Sequence, residues 1–127
     1  MNFLAIDFGT KNIGLAWAQE GIDVVLPFGI IKNSDKTSDD LPNLIKKEKI
    51  DKVIIGLPTG LDGSETVNTA RVREFARILE DAIGFKIEFV NEMFSSQMAD
   101  RSGAEGASRD EKSAMTILRS YLDSFKK

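Results

Sequence analysis

The run Val53-Ile54-Ile55-Gly56-Leu57-Pro58 limits the fold more than any other stretch of the chain, because it is apolar throughout. A short continuous run of this kind, rich in β-branched residues and ended by Pro, reads as a strand buried on both faces. Three further apolar runs precede it. Phe3 to Phe8 is bounded by Gly9-Thr10 and reads as a buried strand. Ile13 to Ala18 follows after Lys11-Asn12, a spacing suited to a hairpin. Val24 to Ile31 completes an antiparallel meander, with Pro27, which has no N–H to give a ladder, predicted at an edge or a bulge.

Helical spacing appears between and after these strands. Leu41, Leu44, Ile45 and Glu48 predict a helix capped by Ser38 or Asp39, with Pro42 in its first turn. A Gly-rich turn, Thr59 to Gly63, leads to a longer helix capped by Ser64 and stopped by Gly84. Its apolar stripe is Val67, Val72, Phe75, Ala76, Leu79, Ala82 and Ile83. Lys86 to Val90 is a short strand, and a short helical piece is expected after Asn91-Glu92. Asp100 to Ser108, rich in Gly, Ala and Ser, is the expected mobile loop. Ser108 with Glu111 predicts a capping box for a last helix carrying Ala114, Ile117, Leu118, Tyr121, Leu122 and Phe125 on one face. The order β-β-β-α-β-α-β-α predicts one α/β domain over residues 1–127. Its mixed five-stranded sheet has three antiparallel strands followed by two parallel ones.

Two zeros in the composition restrict the chemistry: the 127 residues include no His and no Cys. Imidazole bases, Ser-His-Asp triads, thiolate nucleophiles and Cys-based metal sites are thereby excluded. Carboxylates, hydroxyls, amines and oxygen-bound hard metals remain. The net charge of −3 lacks the basic footprint usual for nucleic-acid binders. Two bound divalent ions would turn it to +1. No export signal or membrane span is apparent, so the expected location is the cytoplasm.

Three acids fall at element ends: Asp7 closes the first strand, Glu92 follows the fifth, and Asp110 opens the last helix. Ligands of open α/β sheets gather beyond the carboxyl ends of the strands. Carboxylates clustered there stay ionised together when a cation neutralises them, and Mg²⁺ suits that role. Two such ions could activate water and stabilise the leaving oxygen in phosphodiester hydrolysis. Each acid also has a plainer reading: Asp7 as a turn residue, Glu92 as a solvated loop acid, Asp110 as a helix N-terminal acid beside the dipole. A second constellation, Gly56 to Glu65, could receive phosphate on backbone N–H groups, with Arg71 and Arg73 further along the helix that follows and Lys11 in the first turn of the chain; ordinary capping explains the same residues. Trp17 and the Phe residues read mostly as core.

Ala5-Ile6-Asp7-Phe8-Gly9-Thr10-Lys11-Asn12-Ile13-Gly14-Leu15-Ala16 resembles the opening of the YqgF/RuvX family, the Holliday-junction-resolvase-like nucleases of ribonuclease H fold. So does Ile55-Gly56-Leu57-Pro58 running into Asp62-Gly63-Ser64-Glu65, with Arg71, Val72 and Phe75 behind it. Asp110, Ser113-Ala114 and Ile117 to Asp123 make a third match. The resemblance implies a ribonuclease H-like nuclease that matures the 5′ end of the 16S rRNA precursor. Branched DNA is the older substrate assignment. It implies Asp7, Glu92 and Asp110 as catalytic ligands of Mg²⁺ or Mn²⁺. Thr10, Lys11, Asp62, Gly63, Ser64 and Arg71 are the implied contacts to nucleic acid. A monomer or weak homodimer with no membrane partner is expected. The chain departs from the family pattern at Met93, where an Arg is usual, and in Gly103 to Arg109, which holds one basic residue. A non-catalytic ribosome-assembly or nucleic-acid-binding protein is the second reading. The third takes Asp7 to Thr10 as an ATPase phosphate loop, for which a second domain would be needed.

Overall fold

A computed structural model of the chain describes residues 1–9, 11–21, 24–59, 64–91 and 109–123, with only the backbone at Ser38 and Arg109. Its strands are β1 (Asn2–Phe8), β2 (Asn12–Gln19), β3 (Leu26–Lys32), β4 (Lys52–Leu57) and β5 (Glu88–Asn91). The helices are α1 (Thr37–Lys47), α2 (Val67–Ile83) and α3 (Arg109–Asp123). The strands form one sheet in the order β3-β2-β1-β4-β5. β1 pairs antiparallel with β2, and β2 antiparallel with β3. β4 pairs parallel with both β1 and β5. The α/β class and the mixed pairing read from the sequence are therefore present.

Side-chain alternation along the strands divides the core into two layers. Leu4, Ile6, Ile13, Leu15, Val53 and Ile55 face α1 and α2, packing on Leu41, Ile45, Val72, Ala76 and Leu79. Phe3, Ala5, Ala16, Ala18 and Ile54 face α3 and meet Ala114, Ile117, Leu118 and Tyr121. The residue sizes differ for a reason. Branched side chains fill the broad layer under two helices, whereas Ala5, Ala16 and Ala18 let one helix lie close to the backbone of the sheet. Far from the carboxyl ends of β1 and β4, the Lys52 ammonium reaches Glu88 and the Tyr121 hydroxyl at 3.1 Å each, and that hydroxyl also bonds Glu88. This cluster ties the end of α3 to β4 and β5.

Pro27 lies on the edge strand beside a bulge opposite Leu15 and Ala16, so both predicted accommodations occur together. Several local expectations are corrected. α1 begins at Thr37 after Lys36, with no side-chain cap, because the buried Thr37 hydroxyl bonds the Lys32 carbonyl and the Ser34 N–H instead. Pro42 consequently falls in the second turn. β3 starts at Leu26, later than the Val24 expected. Thr66, not Ser64, caps α2: its hydroxyl accepts from the Thr69 N–H while the Thr69 hydroxyl accepts from the Thr66 N–H. Val67, expected on the buried stripe, is 70% exposed, since the sheet covers only the arc through Val72, Ala76 and Leu79. Gly84 stops α2 in the left-handed conformation at φ 84°, as expected. The predicted helical piece after Glu92, the 100–108 loop, the Ser108 cap and Phe125 lie outside the described residues.

Thr69 is fully buried, and its hydroxyl also donates to the Pro58 carbonyl, joining the start of α2 to the end of β4. Thr69→Val keeps the shape but removes both bonds. It is expected to lower stability by about 1–3 kcal/mol, read as a lower urea midpoint at unchanged slope.

Candidate active site

Asp7 stands at the carboxyl end of the central strand, on the side of the sheet that carries α3. The first turn of α3 brings Asp110 against it, and Ser113, one turn further on and only 7% exposed, bonds the Asp7 carboxylate. Burial and then the Asp110 charge push the Asp7 carboxyl up to about 6; the Ser113 bond opposes them. Burial disfavours the charged form, and a nearby like charge disfavours it further.

Gly14 makes this approach possible. It pairs with Asp7 across β1 and β2, and its own residue layer faces α3. A Cβ at position 14 would lie 2.0 Å from the Asp110 carbonyl oxygen and 2.4 Å from its carbonyl carbon. The helix start therefore rests on bare backbone. The sequence shows Gly14 and Ser113 within the family-like motifs but marks neither as a site residue. Two signals could have found them: a lone Gly within a strand marks a close approach, and Asp110 with Ser113 at i,i+3 shares one helix face.

The other predicted residues divide. Lys11 is exposed in the β1–β2 connection, and its carbonyl accepts from the Asn33 N–H at 2.8 Å. Ser64 is exposed ahead of the Thr66 cap. Arg71 is on α2, against the opposite face of the sheet from Asp7 and Asp110, so it is not brought to the acid pair. Glu92, Thr10, Asp62 and Gly63 lie outside the described residues. Among the described residues no group of three acids could hold a metal. What they provide is a pair of carboxylates. Their mutual repulsion and burial suit a hard divalent cation bound through oxygen. No described helix is long and apolar enough to cross a membrane.

A mixed sheet in this order, with an acid at the end of its central strand, is the ribonuclease H-like arrangement. The chain has a TM-score of 0.72 with Thermus thermophilus RuvC bound to a Holliday junction, at 11% identity, covering 99% of this chain and 96% of that one. For the fowlpox virus resolvase bound to Holliday junction DNA the TM-score is 0.65 at 16% identity, with both chains fully covered. At the sequence level, residues 1–124 match the family described as "RuvX: Holliday junction resolvase". The chain belongs to that family. A relative from Maridesulfovibrio salexigens is 36% identical over 132 residues, covering 96% of this chain and 98% of its own, and bears the name "Putative pre-16S rRNA nuclease". One from Escherichia coli O1:K1 with the same name is 37% identical, with 94% of each chain covered.

Proposed function

We propose that this chain, as one domain over 1–127, is a divalent-metal-dependent nuclease that hydrolyses phosphodiester bonds at the 5′ end of precursor 16S rRNA. The carrying observation is the Asp7–Asp110 pair, whose charges are forced together at the strand end. Relatives named for that activity supply the substrate class. Asp7, Asp110 and Glu92 hold Mg²⁺ or Mn²⁺. When bound, a pair of such ions supplies Lewis acidity for the attacking water and the leaving oxygen. The residues of the chain do the positioning. Ser113 fixes the orientation of the Asp7 carboxylate. Gly14 lets the start of α3 approach β2 closely, beside Asp7. Lys11 lies exposed in the connection that follows β1, where its ammonium neutralises backbone phosphate; Thr10, Asp62, Gly63 and Ser64 complete the contacts to nucleic acid in this reading. The protein works in the cytoplasm as a monomer or weak homodimer.

The test is incubation of a 5′-extended 16S precursor fragment with purified protein and Mn²⁺. Wild type is expected to cleave it, EDTA to stop cleavage, and Asp110→Asn to slow it at least about a thousandfold through loss of several kcal/mol of charge stabilisation. RNA binding that EDTA and Asp110→Ala leave unchanged, without cleavage, would establish the assembly-protein reading in its place.

A further inference from the structure

Neighbouring residues of a strand point to opposite faces of its sheet. At the end of β1, Asp7 accordingly faces α3 and Phe8 faces α2. Behind Phe8 opens a cleft of 630 Å³, walled by Phe8, Asn33, Thr37, Arg71, Phe75 and Ile78. The Phe8 and Phe75 rings pack on each other with centroids 4.4 Å apart and remain half-buried, neither sealed in the core nor fully solvated. The mouth is apolar: Val67 is 70% exposed and Ile78 45%, although both lie on a helix whose buried arc runs elsewhere.

Charge separates Arg71 from its neighbours. Arg73 is held by Glu65 at 2.8 Å, and Arg77 by Glu74 at 2.6 Å. Among the described residues Arg71 makes no ion pair, and it is the arginine at the cleft. An aromatic floor with a guanidinium at its rim matches a nucleotide: the ring offers a stacking surface and the cation meets phosphate, while the Glu74 carboxylate on the same wall is held by Arg77. Asn33 adds a polar side chain to the same wall. Its Nδ2 donates to the Gly9 carbonyl at 2.8 Å, which ties the β3–α1 connection to the turn that follows Asp7 and Phe8.

We infer that this cleft captures an unpaired nucleobase of the substrate, stacked on Phe8 and Phe75 with an adjoining phosphate on Arg71, while the neighbouring strand passes over the end of β1 to the acid pair. The inference rests on the nuclease reading and adds the structural class of substrate: RNA with an unpaired nucleotide beside the cleaved bond. A fully paired duplex cannot fill the cleft, because its bases remain stacked within the helix.

Fluorescence anisotropy in EDTA tests it, using a labelled single-stranded RNA and a fully paired RNA duplex of the same length. Arg71→Gln, Phe75→Leu and Ile78→Gln are compared with wild type, with thermal melts as the control for folding. Ile78 is exposed, so its variant remains informative should Phe75→Leu not fold. The expected result is a loss of about tenfold or more in single-strand affinity for the cleft variants, with duplex binding much less affected. Equal losses on both RNAs would reduce Arg71 to general phosphate attraction and overturn base capture. Single-strand binding at wild-type strength in all three variants would overturn it too and assign the cleft to a different occupant. Absence of RNA binding by wild type would remove the nuclease reading and this inference together.

Discussion

Asp7→Asn is expected to end phosphodiester cleavage and, in the same protein freed of metal, to raise stability by about 2–3 kcal/mol at pH 8. The second effect follows from the Asp7 carboxyl standing at about 6 in the folded chain, against 3.8 for an ordinary Asp. Between those values the folded state holds more protons than the unfolded state. Stability therefore falls as pH rises from about 4 to about 6 and stays low above that. Asn carries no charge to desolvate and does not repel Asp110. Its advantage should be full above pH 6 and absent below about pH 4. A thermal melt in EDTA would read it as a rise of about 8 °C at pH 8. An Asp7→Asn protein less stable than wild type at pH 8 would mean that Asp7 is a structural acid, held by bonds its charge needs.

The second large effect belongs to Gly14. In Gly14→Ala the new Cβ meets the Asp110 carbonyl oxygen 2.0 Å away, a backbone atom that cannot rotate aside. The start of α3 must lift, at a cost of about 1–3 kcal/mol as in other overpacked sites. A shift near 1 Å in Asp110 is expected to cost about a hundredfold in cleavage. A control separates these effects. Leu122→Ala trims the partly buried far end of the same helix, away from Asp110. Matched for stability loss, Leu122→Ala should retain cleavage while Gly14→Ala should not. Equal activities in the two variants would show that Gly14 serves packing alone.

The strands were legible where period and punctuation agreed. The apolar run at Val53, the hairpin at Lys11-Asn12 and the edge position of Pro27 all follow from local rules that the tertiary structure leaves intact. The helix starts were less legible: the sequence offers Ser64 as the cap of α2, whereas Thr66 takes that place in a box with Thr69, whose hydroxyl is also engaged by the Pro58 carbonyl 11 residues away. Val67 misled for a related reason: helical period gives a stripe, but the width of the covering sheet decides how much of it is buried. Within the site, Asp7 and Asp110 were visible as acids at element ends. Their meeting was not, since it depends on Gly14 and on which face of the sheet α3 covers. Arg71 shows the converse. The resemblance implied it as a contact to nucleic acid serving the same site, yet the crossover sends α2 to the other layer.

The central claim is that Asp7 and Asp110 share a divalent ion. Anomalous diffraction from crystals grown with Mn²⁺ tests it most directly. A manganese peak is expected at the carboxyl end of β1, within about 2.0–2.4 Å of a carboxylate oxygen from each of the two residues. Ordered crystals with no peak there, or a peak that touches neither carboxylate, would contradict it.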